Sequence, residues 1–349
     1  MPPIYVGTYA ESGGAGLQRL DFHAAGGWIC GDVFAGARNA SFGVYSDRHG
    51  LQYLVDEHRT GKVGVFSEST EGWREVGRVA TGGADPCYLA LDGDGGRLAV
   101  ANYGSGSIAV FRLDPATGLP CDDPDVRANT GCGPVEDRQE GPHAHCVRFG
   151  PDGHWLFHVD LGTDEILAYP FDPTTDRLGE RHRAYAAPAG SGPRHLVFHP
   201  ILPLAVLASE LASTLTLLRV EGGSLTAIHE VSTLPDGFEA TSIAGHLALG
   251  HSGARIYVTN RGHDSVAVFD WSDGHALHLL QHVPSGGASP RAFVLLDRES
   301  LLVLANEEGN AVTLFYVRDD GTLAPHDHAI TVQAPVFVFA GAHRPNDHA

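Results

Sequence analysis

The sequence carries a seven-fold repeat in which one apolar segment runs through a polar turn into a second apolar segment. The copies begin at residues 4, 52, 98, 155, 204, 256 and 302 and include IYVGTYAESGGAGLQRL, LAVANYGSGSIAVFRL and LVLANEEGNAVTLFYV. Successive copies start 46 to 57 residues apart, which is about the length of one four-stranded propeller blade. The repeat therefore predicts an all-β, seven-bladed β-propeller of four-stranded antiparallel blades, with residues 1–349 forming a single domain.

The two ends of the chain predict how the ring of blades closes. Most copies follow another apolar segment, such as CYLALDGDGGR or RHLVFHPILP, which reads as the innermost strand of the blade. The first copy lacks this segment, and an unmatched one, PVFVF, occupies residues 335–339. We therefore expect the C-terminal strand to pair with the N-terminal strand and so remove the open edges. The longest spacing places an insertion at residues 115–141, whose DDP, NTG and GP sequences predict a long loop and a candidate lid.

Composition limits the partners and the compartment. A formal net charge of −19 argues against nucleic acid or an anionic membrane as a partner, and an anionic ligand would need a local positive site. No apolar run approaches 18 residues, so no membrane span is predicted. The five cysteines lack metal-type spacing, and strand signal begins at Ile4, which favours a reduced, cytoplasmic protein without a signal peptide. We expect neither a cofactor nor a metal ion, and a monomer or weak dimer.

Alignment of the repeats brings charged residues together at one mouth of the central channel. The innermost strands supply one ring of residues: Ser41, Cys87, His145, Arg194, Gly245, Arg291 and Val336. The ends of the second strands supply a neighbouring ring: Tyr9, Glu57, Tyr103, Asp160, Glu210, Arg261 and Glu307. Arginine binds carboxylate or phosphate through its planar fork, histidine transfers protons near neutral pH, and a carboxylate can orient either group. The rings thus predict a site for a small anionic substrate.

These residues also have structural interpretations. Arg194 and Arg291 could form ion pairs between blades, His145 could be a buried histidine, Glu210 could clamp an arginine, and Asp160 could form a turn. Ring residues that are open to solvent and free of mutual ion pairs would favour an enzyme. A channel plugged by Phe or Leu side chains would favour a propeller that only binds a ligand or protein.

Six segments resemble the seven-bladed lactonase family, which includes the propeller type of 6-phosphogluconolactonase and the fungal 3-carboxy-cis,cis-muconate lactonizing enzyme. The segments are GPHAH (141–145), DLGTD (160–164), GPRHLVFHP (192–200), SEL (209–211), NRGHDSVAVF (260–269) and SPRAF (289–293). The resemblance covers essentially the whole chain. It implies a site made of a histidine, arginines and a glutamate, which correspond to His145, with His143 as the alternative, Arg194, Glu210, and Arg261 or Arg291.

The resemblance implies metal-independent hydrolysis of a sugar-acid lactone, most specifically 6-phosphogluconolactone. His145 would remove a proton from water, Arg194 would bind the anionic group and the developing oxyanion, and Glu210 would orient the arginine or the histidine. The residues expected to bind substrate are His143, Asp160, Arg261 and Arg291. The alternatives are lactonization of a carboxymuconate and a non-catalytic binding propeller. His195, on the strand face opposite Arg194, is expected to pack between blades.

Overall fold

The computed structural model describes residues 1–23, 27–172, 177–250 and 253–341, which form seven antiparallel sheets. Blade one begins with β1 (Ile4–Thr8), β2 (Leu17–His23) and β3 (Gly27–Phe34). Blade two contains β4 (Gly43–Ser46), β5 (Leu51–Asp56), β6 (Lys62–Ser69) and β7 (Gly72–Ala80). Blade three contains β8 (Pro86–Leu91), β9 (Arg97–Asn102), β10 (Ser107–Leu113) and β11 (Pro120–Ala128).

The remaining blades follow the same order. Blade four contains β12 (Ala144–Phe149), β13 (Trp155–Asp160), β14 (Glu165–Asp172), and β15 (Arg177–Leu178) and β16 (His182–Ala186), which both pair with β14. Blade five contains β17 (Pro193–Phe198), β18 (Leu204–Ser209), β19 (Thr214–Glu221) and β20 (Ser224–Ser232). Blade six contains β21 (Ile243–Leu249), β22 (Arg255–Arg261), β23 (Ser265–Asp270) and β24 (His278–Pro284). Blade seven contains β25 (Pro290–Leu296), β26 (Leu301–Asn306), β27 (Ala311–Val317) and β28 (Leu323–Thr331).

The C-terminal strand closes the ring, as the sequence predicts. Strand β29 (Pro335–Ala340) pairs antiparallel with β1, with Ile4 opposite Ala340 and Val6 opposite Val338. It is therefore the innermost strand of blade one. The helical content of the described ranges is two single 3-10 turns, Ala10–Ser12 and Asp297–Glu299. None of the described helices has the length and apolar character that a membrane crossing requires.

Apolar packing between blades explains which strands are buried. Strand β18 is buried at every residue, because both of its faces contact neighbouring blades. The outermost strand β7 is only partly buried. This gradient from the channel to the rim is typical of a propeller, whose core lies between its sheets.

The inner strands share a β-bulge at the channel mouth. In β17, Pro193 pairs with Ser209 and His195 pairs with Ala208, so that Arg194 is an extra residue without a partner on β18. The same irregularity occurs in β8, β12, β21, β25 and β29. The extra residues include Cys87, His145, Gly245, Arg291 and Val336, which are ring positions predicted from the aligned repeats. A bulge re-aims its side chain, and here it turns these residues towards the channel.

The structure corrects two expectations. Residues 120–128 of the predicted loop form β11, because prolines 120 and 124 are tolerated on an edge strand. Residues 129–143, which include the C-terminal part of the predicted insertion, connect blades three and four. In blade four, Leu161 and not Asp160 occupies the ring at the ends of the second strands. The N–H of Leu161 donates to His143 O, just as the N–H of the ring residue Glu210 donates to Gly192 O.

Candidate active site

Glu210 lies at the centre of a cluster of arginines at the channel mouth. Glu210 directly follows the last residue of β18, and its side chain is 2% exposed. The Glu210 Oε2 atom contacts Arg194 Nη1 and lies 3.0 Å from Arg261 Nη2, while Arg138 Nη2 donates to Oε1 at 2.6 Å. One carboxylate therefore holds three guanidinium groups, from blade five, blade six and the segment 129–143.

Backbone groups fix the geometry of this cluster. The N–H of Glu210 donates to Gly192 O, and the N–H of Ala244 donates to the carbonyl of Glu210. Two carbonyls of β21 accept from the arginines: Arg194 Nε donates to Gly245 O at 3.0 Å, and Arg261 Nη2 donates to Ala244 O at 3.2 Å. The site is thus built across the interface of blades five and six.

The charges of the cluster determine its ionisation. Burial opposes ionisation of Glu210, but Arg194, Arg261 and Arg138 together outweigh it and hold the pKa of this carboxyl well below its usual range. Burial and the neighbouring Arg194 charge lower the pKa of Arg261 to about 10. Burial also disfavours charged Arg138, but Glu210 outweighs it and raises the pKa of that guanidinium. At neutral pH the cluster holds one negative and three positive charges.

His145 is held next to this cluster as a neutral imidazole. Arg194 Nη1 donates to His145 Nε2 at 2.6 Å, and Glu210 Oε2 lies 3.7 Å from the same nitrogen. Because a guanidinium has no acceptor atom, Nε2 is the unprotonated nitrogen and Nδ1, 3.8 Å from Cys87 Sγ, carries the hydrogen. Burial and the Arg194 charge hold the pKa of His145 well below its usual range, and burial raises that of Cys87.

His143 and Asp160 have other contacts. The ring of His143 stacks on Tyr103 with centroids 4.4 Å apart, its Nδ1 lies 3.1 Å from Tyr103 O, and its Nε2 lies 3.2 Å from Glu140 Oε1. The Oδ1 atom of Asp160 accepts three backbone N–H groups, and its Oδ2 accepts from the Asn129 amide. Asp160 is buried. These contacts match the turn-forming interpretation of Asp160 and place His143 against Tyr103 and Glu140.

Arg291 belongs to a second group of charges across the mouth. Its Nη1 lies 3.1 Å from Glu307 Oε2, and its Nη2 donates to Tyr9 Oη at 2.5 Å. Tyr9 in turn donates to Glu57 Oε2 at 2.6 Å, and this carboxylate lies 4.0 Å from Arg291. Burial disfavours the charged guanidinium, but Tyr9, Glu307 and Glu57 outweigh it and raise the pKa of Arg291. The structure thus groups Arg261 with Glu210, and Arg291 with Glu307.

Three cavities meet at the mouth. The outer cavity, of about 540 Å³, has three arginines and three carboxylates in its lining: Arg138, Arg261 and Arg291, with Asp264, Glu307 and Glu308. A second cavity, of about 340 Å³, has a polar lining: Tyr9, Glu11, Ser12, Asn39, Glu57, His58, Arg59 and Asp85. The inner cavity, of about 20 Å³, has room for roughly one water molecule, and its polar lining consists of Ser41, Glu57, Cys87, His145, Arg194, His195, His246 and Arg291.

Aromatic side chains fill the channel next to the inner cavity. Phe42 stacks on Tyr88 with centroids 4.0 Å apart and contacts Phe337 at 5.2 Å. The ring of His195 lies 5.4 Å from His246 and 5.6 Å from His145. His195 therefore packs against rings from blades three, four and six, and it does so within the channel.

Arg138 is the site residue that the repeats could not identify. It lies in the insertion, which has no equivalent in the other blades and so no aligned position. The only sequence signal was the length of the insertion, which marked the segment but no residue within it.

Comparisons with known proteins agree with this fold. Residues 3–340 match the family described as "Lactonase, 7-bladed beta-propeller". The 6-phosphogluconolactonase of Bacillus subtilis is 29% identical over 342 residues, covering 96% of this chain and 97% of that protein. The structure of the periplasmic gluconolactonase of Pseudomonas aeruginosa superposes with a TM-score of 0.89 at 27% identity, covering 98% of this chain and 99% of that one. A Lactobacillus plantarum protein of known structure gives a TM-score of 0.87 at 28% identity, covering 97% and 98%. This chain belongs to the seven-bladed β-propeller lactonase family.

Proposed function

We propose that this protein hydrolyses a sugar-acid lactone, most specifically 6-phosphogluconolactone, at the channel mouth and without a metal ion. The observation that carries the proposal is the charge imbalance at Glu210. Three guanidinium groups share one carboxylate, and two of them, Arg138 and Arg261, face a cavity of about 540 Å³. In a chain of net charge −19, this excess of positive charge around Glu210 supports the binding of an anionic substrate there.

The reaction needs a base and a group that stabilises the oxyanion. In the proposed mechanism His145 Nε2 takes a proton from water while the water oxygen forms a bond to the lactone carbonyl carbon. Arg194, with Arg261 or Arg291, stabilises the negative charge that develops on the carbonyl oxygen. The ring C–O bond then breaks, and the departing oxygen takes the proton from His145. The product is the open hydroxy acid.

The contacts of His145 bear directly on this role. Its lowered pKa keeps the imidazole neutral, as a general base must be. In the free protein, His145 Nε2 accepts a hydrogen bond from Arg194. When the substrate binds, its carbonyl oxygen must accept this Arg194 N–H instead, so that Nε2 is free to accept a proton from water. Glu210 acts as a positioning residue, because it holds Arg194 and Arg261 through one oxygen atom.

Two observations favour the non-catalytic alternative. The ring residues are not free of mutual ion pairs, and Phe42 and Phe337 contribute to an aromatic plug in the channel. Against this, the ion pairs of Glu210 leave an excess of positive charge on the three arginines that contact it, and the plug lies beyond the outer cavity instead of filling it. The hydrolase proposal also agrees with the activities named for the Bacillus and Pseudomonas relatives.

We further propose a cytoplasmic location. The five cysteines are free of disulfide bonds, and two of them, Cys87 and Cys146, are buried. A reducing compartment keeps such thiols reduced. The Bacillus relative supports the same compartment through its named substrate, whereas the Pseudomonas relative is periplasmic.

The test is a direct assay of the purified protein against 6-phosphogluconolactone, unphosphorylated gluconolactone and a carboxymuconate, with and without a chelator. We expect hydrolysis of the phosphorylated lactone above the spontaneous rate, unchanged by the chelator. The variant His145→Gln should lower kcat by about 100-fold or more, as expected for loss of a general base. Loss of activity with chelator would contradict metal independence, and lactonization of the muconate without lactone hydrolysis would favour the cyclase. Inactivity on all three would favour the binding propeller.

A further inference from the structure

The segment 129–143 is fastened to the mouth through Gln139. This side chain is fully buried, and its amide nitrogen donates to Leu161 O and to Asp164 Oδ1, both at 2.8 Å. Its amide oxygen accepts the N–H of Val135 at 3.1 Å. The two bonds of the amide nitrogen tie the segment to the turn that follows β13, and the bond from Val135 holds the segment's own shape.

Asp164 extends this attachment to blade five. Its Oδ2 accepts the N–H of Gly190 at 2.7 Å, and its Oδ1 accepts the N–H of Gly192 at 2.8 Å. Gly192 is also the residue whose carbonyl accepts the N–H of Glu210. The segment, the start of β17 and the central carboxylate are therefore joined by one chain of hydrogen bonds.

This attachment places Arg138 at the outer side of the cluster. Its Nη2 donates to Glu210 Oε1 at 2.6 Å, yet its side chain remains 35% exposed, compared with 7% for Arg194. Arg138 lines the outer cavity together with Arg261 and Arg291. A guanidinium has five N–H donors, so a bond to Glu210 leaves others for a ligand in that cavity.

The positions of the inner and outer cavities determine which end of the substrate points inwards. The inner cavity, beside His145 and Arg194, holds about one water molecule and cannot admit a sugar ring. Arg291 lines both the inner and the outer cavity, so the reacting carbonyl must stop at that boundary. The rest of the substrate then extends into the outer cavity, towards Arg138 and Arg261.

We propose that Arg138 is a specificity residue that binds a phosphate monoester at the end of the substrate remote from the lactone carbonyl. This assignment rests on the proposed lactonase function. A phosphate monoester offers three oxygens to paired N–H donors, which suits a planar fork better than a single ammonium. Glu210 holds the fork in place before the substrate binds, which lowers the entropy lost on binding.

The experiment compares Arg138→Gln and Arg138→Lys with the wild type on phosphorylated and unphosphorylated gluconolactone. Arg112→Gln is the control, because it removes the same charge from an exposed ion pair with Asp122. Arg112 lies near the end of β10 that is remote from the channel mouth. We expect Arg138→Gln to lower the ratio of kcat/KM for the phosphorylated lactone to kcat/KM for the unphosphorylated lactone by about 10- to 100-fold. A change of this size corresponds to the loss of one hydrogen bond to a charged group. The change should appear in KM for the phosphorylated lactone more than in kcat. Arg138→Lys should be intermediate, and Arg112→Gln should match the wild type.

Binding measurements separate this assignment from the proposed activity. Calorimetric titration with 6-phosphogluconate and with inorganic phosphate should show weaker binding to Arg138→Gln than to the wild type, even if the wild type hydrolyses neither lactone. In that case the proposed function fails and only the binding of a phosphate group by Arg138 stands. Equal binding by both proteins, or an unchanged ratio of kcat/KM values, would overturn it. If Arg138→Gln does not fold, the ratio measured for Arg138→Lys decides.

Discussion

Glu210 keeps a negative charge in a buried position because three guanidinium groups surround it. Removing a carboxylate from water costs several kcal/mol, and only close, well-oriented cations compensate for this. Arg194, Arg261 and Arg138 supply that compensation, and in return Glu210 keeps their like charges together. The cluster is therefore interdependent: each charge needs the others.

The variant Glu210→Gln tests this dependence. The amide has the same shape but leaves three buried or half-buried positive charges without a counter-ion. We expect a loss of about 3–5 kcal/mol in the free energy of unfolding, measured with urea, and a fall in kcat/KM of about 100-fold or more. Glu71→Gln, in the exposed turn between β6 and β7, should stay within about 0.5 kcal/mol of the wild type. Equal stability of Glu210→Gln and the wild type would show that Glu210 does not balance the arginine charges.

At the scale of single residues, the sequence predicted which residues of the aligned blades meet at the channel mouth, but not the contact with Arg138 or the protonation of His145. His145, Arg194, Glu210 and Arg261 do converge, because the aligned repeats share one level of the channel. Arg138 escaped, because an insertion has no aligned position in the other blades. Which nitrogen of His145 is unprotonated also could not be predicted, since it depends on a contact between two blades.

At the scale of elements, the bulged inner strand is what makes the site. The aligned repeats predict which residue of each strand faces the mouth, but the extra residue appears only in the pairing register. Closure of the ring was predictable, because PVFVF is an apolar segment without a partner in its own repeat. The strand β11 was not, because its two prolines resemble loop sequence until the strand is known to lie at an edge.

The backbones of blades one and two approach each other closely at one glycine. Gly7 of β1 lies where a Cβ would stand 1.9 Å from Ala40 O, in the segment that leads into β4. We expect Gly7→Ala to lower the free energy of unfolding by about 1–3 kcal/mol or more, because backbone has to move to admit the methyl group. Gly93→Ala is the matched control, since no atom lies within 4 Å of its Cβ position, and it should stay within about 0.5 kcal/mol of the wild type. Equal urea midpoints for the two variants would contradict the role of Gly7.

At the scale of the whole molecule, the repeat accounts for the fold and its exceptions account for the site. Seven similar blades need only similar apolar patterns, and this is what a single sequence shows best. Charge at the mouth arises from contacts between blades, and some of these join residues far apart in the sequence, such as Arg291 with Tyr9 and Glu57. Such contacts can be inferred only after the fold is known, which is why the ion pairs could not be assigned in advance.

Three histidines of the channel, two buried and one half-buried, give the molecule a pH-dependent stability. His145, His195 and His246 lie in contact in the channel on β12, β17 and β21. Burial and the charge of Arg194 lower the pKa of all three, that of His246 to about 3. In the unfolded chain these histidines titrate near pH 6.5. Below that pH the unfolded state binds protons that the folded state does not, so stability decreases as pH falls, whereas above it both states are neutral and stability is constant.

The expected slope is about 1.4 kcal/mol per pH unit for each histidine once the pH is well below 6.5. Urea unfolding at pH 7.5, 6.5, 5.5 and 5.0 should therefore show a free energy that changes little at first and then falls steeply. His246→Phe tests the assignment, because phenylalanine suits the contact with Phe293, whose ring lies 4.8 Å away, and does not titrate. The slope between pH 5.5 and 5.0 should decrease by about 1.4 kcal/mol per pH unit in this variant. An identical slope in the two proteins would contradict this assignment. It would mean that His246 is protonated in the folded protein as readily as in the unfolded chain, although its aromatic neighbours provide no counter-charge.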